Sequence, residues 1–193
     1  MIPRYIIAIA LTLLAGCSAV PGDAAYRAGE PAQAAVLYNT EYKNGSVDAG
    51  LSYAQMLSQG DGIPKDPEHA VEIWNDLASK GSSLALFNLG VCYERGTGVA
   101  KNLPKAEEAY RKAAESGMLW AIYNLGSMYS NRLTQKEDDV EGLTLLLRAQ
   151  RLATGKSENE RWIREDKFGG HVAKMRARMT PEQIARAEEA AKK

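Results

Sequence analysis

Two histidines, two cysteines and a scatter of carboxylates are the residues of this 193-residue chain that could do chemistry. Acid–base or nucleophilic catalysis needs such groups set beside one another. His69 follows Glu68 and precedes Ala70 in a helical segment, which suits a solvated side chain better than a ligand. The chain contains neither Ser-x-x-Lys nor Gly-x-Ser-x-Gly, so the penicillin-binding and α/β-hydrolase types of serine nucleophile have no motif here. Glu137, Asp138 and Asp139 fall at a helix start, where carboxylates offset the helix dipole, and this accounts for them without a metal. Cys92 is in register with Met128 at an apolar helical position and reads as a small buried hydrophobe rather than a redox or nucleophilic thiol. An enzyme acting on cell-wall material would need Glu94, Glu115 or His69 to converge in one pocket, and their spread along the chain argues against that. No cofactor and no metal is implied.

Cys17 is different, because of what precedes it. A short basic start, Met1 to Arg4, leads into the apolar run Tyr5 to Leu14 and then into Leu14-Ala15-Gly16-Cys17. Ten apolar residues fall well short of the roughly 20 that span a bilayer, so residues 1–16 read as a signal peptide. The Leu-Ala-Gly-Cys tetrad resembles the processing box of bacterial lipoproteins, in which the cysteine becomes the lipidated first residue. That resemblance implies acylation of Cys17, with palmitate among the chains, and stable anchoring by several chains together. Ser18 in place of aspartate implies sorting to the outer membrane on the enteric rule, hence a periplasmic location. With Cys17 modified, Cys92 has no partner in its own chain and no internal disulfide forms.

After residues 1–16 are removed, 177 remain, enough for one domain with a continuous core. Charge is nearly balanced overall but uneven along the chain. Residues 18–147 hold 11 basic and 17 acidic side chains, and residues 148–193 hold 12 and 7. The basic excess at the C-terminal end is diluted by interspersed acids, so a nucleic-acid partner is not indicated.

The elements that must position any site follow a period of 36 residues. Ala85, Gly96, Gly98, Ala106, Ala114 and Gly117 repeat upstream as Ala49, Gly60, Gly62, Ala70, Ala78 and Gly81. Downstream, Ala85, Asn88, Leu89, Gly90 and Tyr93 repeat as Ala121, Asn124, Leu125, Gly126 and Tyr129. A fixed period of this length predicts an all-α, right-handed solenoid of antiparallel helix pairs. The expected divisions are a lipidated tether over 17–30, a solenoid over 31–155 and capping helices over 156–193. Within the solenoid they are a half repeat at 31–45 and full repeats at 48–81, 84–117 and 118–155. Gly60 and Gly96 suit left-handed helix ends, Asp66-Pro67 a capped helix start, and Thr180-Pro181-Glu182-Gln183 the start of a final helix. The third loop, Asn131 to Lys136, lacks the glycine pair, which leaves Asn131 as the expected left-handed residue.

Ala85, Phe87, Asn88, Leu89, Gly90, Tyr93, Gly96, Gly98 and Val99, then Lys105, Ala106, Tyr110, Lys112, Ala113, Ala114 and Gly117, together resemble the Sel1-like repeat, a subfamily of the tetratricopeptide hairpins. That resemblance covers about residues 31–154 and implies a non-catalytic binding scaffold with a protein partner. It further implies service in an envelope assembly as a membrane-anchored adaptor, or, alternatively, as an immunity protein that neutralises a secreted, lipase-like toxin of a type VI system. Small residues at 85, 90, 106 and 114 allow close helix approach, and Tyr93 and Tyr110 fill the wedge between hairpins. Leu84, Leu86, Leu119, Trp120 and Ile122 are unusually apolar for their register: projecting from the concave face, this ladder is the candidate partner-binding site, and packed between adjacent hairpins it is ordinary core.

Overall fold

Small residues and glycines decide where the helices stop and how closely they meet. The computed structural model describes residues 20–134, 138–166 and 170–192. Eleven helices run through them: α1 (Pro21–Arg27), α2 (Pro31–Lys43), α3 (Val47–Gln59), α4 (Pro67–Ser79), α5 (Ser83–Arg95), α6 (Leu103–Glu115), α7 (Leu119–Ser130), α8 (Asp139–Leu152), α9 (Glu158–Arg164), α10 (His171–Arg176) and α11 (Pro181–Ala190). The first eight form four hairpins, and each hairpin stacks on the next through α2 with α3, α4 with α5, and α6 with α7. Contacts run between neighbours along the chain, as a solenoid requires. Helices α9, α10 and α11 all pack against α8, and α10 also reaches α7.

Side-chain caps start α3, α4, α5, α6 and α8, whereas α1 and α7 begin at Val20 and Met118 without one. Ser46, Asp66, Ser82, Asn102 and Asp138 accept from the backbone N–H three residues on, satisfying a donor that has no partner inside the helix. At the other end, Gly60 and Gly96 adopt φ of 78° and 74° and close α3 and α5. Ala49, Ala70, Ala85, Ala106 and Ala121 are fully buried between helices. Gly90 is needed for a related reason: a Cβ there would lie 2.6 Å from the ring of the enclosed Tyr110.

Three expectations change. The tether over 17–30 is helical from Pro21 to Arg27, and α1 completes a hairpin with α2, so the half repeat at 31–45 has a partner helix. Pro21 is tolerated because the first helical turn needs no N–H there. Gly22 acts as a contact residue and not a breaker, lying under the Tyr38 ring, whose hydroxyl donates to Asp23 at 2.6 Å. In the third loop Asn131 keeps φ near −95° and Arg132 takes the left-handed place at φ 58°. Arg132 stands in the register of Gly96, and the closing bond is kept: Leu133 N–H donates to Met128 O at 2.9 Å as Thr97 N–H does to Cys92 O at 3.1 Å. Finally, residues 171–176 form a helix that the sequence did not foreshadow.

Candidate functional site

On α5, Ala85, Leu89 and Cys92 form the buried stripe, while Leu84, Phe87 and Val91 lie half-buried beside it. The same division recurs on α7, where Ala121, Leu125 and Met128 are buried and Trp120 is half-buried. Of the five ladder residues, Leu84, Leu86, Leu119 and Trp120 keep part of their surface in solvent. Leu86, Leu119 and Trp120 also pack one side against the cluster around Tyr110 and Leu146, so each is both core and surface.

Ile122 must be removed from the site. It is 0% exposed and belongs to the buried cluster with Tyr129, Leu143 and Leu146. In the last repeat α8 and the helices covering it enclose this position, whereas its counterpart Leu86 stays half open. Phe87 lies 5.9 Å from the Tyr110 ring, tilted by 45°, and joins the half-exposed apolar strip.

The other candidates do not assemble into a reaction centre. His69 is exposed at the start of α4 and meets Tyr53 edge-on at 6.1 Å. Glu94 accepts from the Tyr110 hydroxyl at 2.8 Å, near the end of α5. Glu115 is exposed at the end of α6. Cys92 is enclosed, and burial pushes its thiol up to about 11, leaving little thiolate at neutral pH. Asp138 caps α8, Asp139 pairs with Arg178 at 2.6 Å, and Glu137 lies outside the described residues. Among the described residues no group of three or more His, Cys, Asp or Glu side chains could hold a metal ion. Cys17, the expected lipidation site, also lies outside the described residues. No helix among those described is long and apolar enough to cross a membrane.

Three polar centres escaped sequence reasoning. Arg111 ties α6 to α7 and α8 by donating to Glu141 at 2.5 Å, to Glu107 at 3.1 Å and to the Tyr129 hydroxyl at 2.8 Å. Tyr129 in turn donates to Glu141 at 2.6 Å. Arg178 holds Asp139 together with the carbonyls of Tyr129 and Ser130. His171 sits between Ser127 and Ser130. The latter two come from the non-periodic end, where no repeat copy exists to expose them. For Arg111, the period offers nothing, because its partners are spread over three helices.

Stacked helical hairpins that present a half-buried apolar strip, with the titratable groups dispersed into caps and ties, define a repeat scaffold. More specifically, the chain belongs to the Sel1 repeat family, whose model matches residues 49–82, 83–118 and 121–151. Among solved structures, it is similar to a protective antigen present in uropathogenic Escherichia coli strains displaying an SLR fold. That match has 26% identity and a TM-score of 0.69 over 82% of this chain, and the chain spans 32% of the other. A Sel1 repeat protein from Oxalobacter formigenes shares the fold at 23% identity and a TM-score of 0.63, with 91% of this chain and 85% of that one covered. No curated protein matches the chain. Sel1 repeat proteins generally mediate protein–protein interaction.

Proposed function

We propose that the protein is a non-catalytic adaptor that captures a polypeptide segment along the half-buried strip of α5 and α7, and that a lipid on Cys17 holds it to the periplasmic side of a bacterial outer membrane as part of an envelope assembly. The observation that carries the binding site is the run of partly exposed large apolar side chains from two successive first helices: Leu84, Leu86, Phe87, Val91, Leu119 and Trp120. Contiguous exposed apolar patches mark partner sites, and Trp120 is of a type enriched among binding anchors. Anchoring is supported by the Leu-Ala-Gly-Cys tetrad closing a short apolar run.

Leu84 tests the strip with the least damage to the core, since no buried cluster includes it among its packed neighbours. Leu84→Ser should abolish capture of the partner from solubilised envelopes while leaving the helical circular dichroism intact and the melting temperature within a few degrees of the parent. Trp120→Ala should weaken capture as well, with a larger stability loss because one side of the indole is packed. Undiminished capture by both variants would remove the strip from consideration. What is captured decides the role: an export-machinery component fits an assembly adaptor, and a lipase-like toxin fits an immunity protein.

Anchoring has its own measurement. Cys17→Ser should move the protein from the membrane pellet to the soluble fraction, and unchanged sedimentation with membranes would refute the lipid anchor.

A further inference from the structure

His171, the first residue of α10, is 6% exposed and uses both ring nitrogens. Nε2 lies 3.0 Å from Ser127 Oγ, and Nδ1 lies 3.1 Å from Ser130 Oγ. The Tyr123 ring stands edge-on at 5.9 Å. A neutral imidazole has one donor and one acceptor, so one serine hydroxyl donates to it and the other accepts from it. An imidazolium has two donors and no acceptor, so one serine must turn its hydrogen away, and a full charge is placed where water has been excluded.

The charged groups nearby give that extra charge no net support. From α10 itself comes Lys174, one turn on. From the segment before it comes Asp166, whose carboxylate is committed to the N–H groups of Val172 and Ala173 at 3.1 and 3.2 Å. From α7 come only Tyr123, Ser127 and Ser130. From α8 and the segment after α10 comes the Asp139–Arg178 pair, with Arg178 donating to Ser130 O at 2.9 Å. Among these described residues, two cations thus face two anions. The imidazole is held below its ordinary 6.5, first by burial and then by Lys174, with Asp166 opposing.

We propose that His171 is a pH-responsive latch: neutral, it bridges Ser127 and Ser130 and docks α10 and α11 over the last repeat, and protonated, it releases them. Release uncovers the end of the solenoid on which a further hairpin would stack in a longer array. Met175, fully enclosed beside Gly142 and Tyr129, leaves the core with α10. The direction follows from linkage. Above about pH 6.5 neither the docked nor the released state binds the proton. As pH falls through that value the released state takes the proton first, so docking weakens with acidification until the docked imidazole titrates too.

The test is hydrogen exchange of the full purified chain at pH 7.5 and pH 5.5, corrected for intrinsic exchange rate, with NMR titration of the two histidine rings. The expected result is a loss of protection over residues 171–190 at pH 5.5 while α3 to α6 keep theirs, and a His171 ring that titrates below 6.5. His171→Gln, which can still donate and accept but does not titrate, should remove the pH dependence. Protection that is equal at both pH values, or a pH dependence that survives in His171→Gln, overturns the proposal. Should His171→Gln fail to fold, the wild-type protein still decides. A ring that titrates at or above 6.5 overturns the latch, as does protection lost only near pH ~4, where carboxylates titrate.

Discussion

Replacing Gly98 with alanine is expected to destabilise the protein by roughly 3 kcal/mol, from left-handed backbone strain of about 1–2 kcal/mol and overpacking of about 1–3 kcal/mol. Gly98 has φ of 71°, and a Cβ there would overlap the Pro67 carbonyl oxygen and lie 2.5 Å from its carbon. Those atoms are backbone at the start of α4, so they cannot swing aside as a side-chain tip would. Gly62 makes the same approach one repeat earlier, at 2.5 Å from the carbonyl carbon of Pro31. In the two loops that carry a glycine pair, the second glycine is therefore where consecutive hairpins touch. Gly117 supplies the control: its φ is 80°, but a Cβ would meet nothing within 4 Å, so Gly117→Ala should cost only the strain, about 1–2 kcal/mol. In thermal melts the Gly98 variant should fall by roughly 6–12 °C for a chain of this size. Equal losses for the two variants would show that strain alone, without the inter-repeat contact, explains Gly98.

Glycine, alanine and tyrosine positions were readable because the solenoid poses the same packing problem every 36 residues, and the same small set of residues solves it. The left-handed Gly60 and Gly96, the buried Ala85 and Ala106, and the enclosed Tyr110 follow from that repetition. Where the repetition frays, the reading frays with it. Pro21-Gly22 looks like a linker until Tyr38 is seen stacked on Gly22, because the identity of a contact partner is not written locally. Arg132 takes a left-handed conformation that residue type favours in Asn131, since the hydrogen-bond closure from Leu133 to Met128 sets the turn. The apolar ladder was readable as a set of side chains, but its division was not. Leu86 and Ile122 share one register, and only the enclosure of the last repeat sends Ile122 into the core.

The same end effect makes Arg178 the second residue whose loss should be large. In the first repeat the carbonyl of Leu57 receives the N–H of the cap residue Asp66 at 2.9 Å, and in the second the carbonyl of Tyr93 receives that of Asn102 at 2.8 Å. In the third repeat, whose loop lacks the glycine pair, the carbonyl in this register is Tyr129 O, and it receives Arg132 N–H at 3.2 Å and Arg178 Nη2 at 3.0 Å. Arg178 Nη1 donates to Ser130 O at 2.9 Å, and Nη2 and Nε both reach Asp139. A side chain from beyond α10 thus ties down two carbonyls at the end of α7 in the last repeat. Its side chain is 25% exposed and that of Asp139 17%, so the interactions are only partly screened. Arg178→Ala should therefore cost about 3 kcal/mol, in the range for charge-assisted hydrogen bonds and partly buried pairs. Asp139→Asn should cost less, roughly 1 kcal/mol, because Arg178 keeps both carbonyls. Arg178→Lys should rescue little, since an ammonium cannot match the planar fork. Chemical denaturation of the two single variants and the double variant measures the coupling directly. If Asp139→Asn proves as damaging as Arg178→Ala, the ion pair alone carries the effect, and the carbonyl ties that close the third repeat contribute nothing.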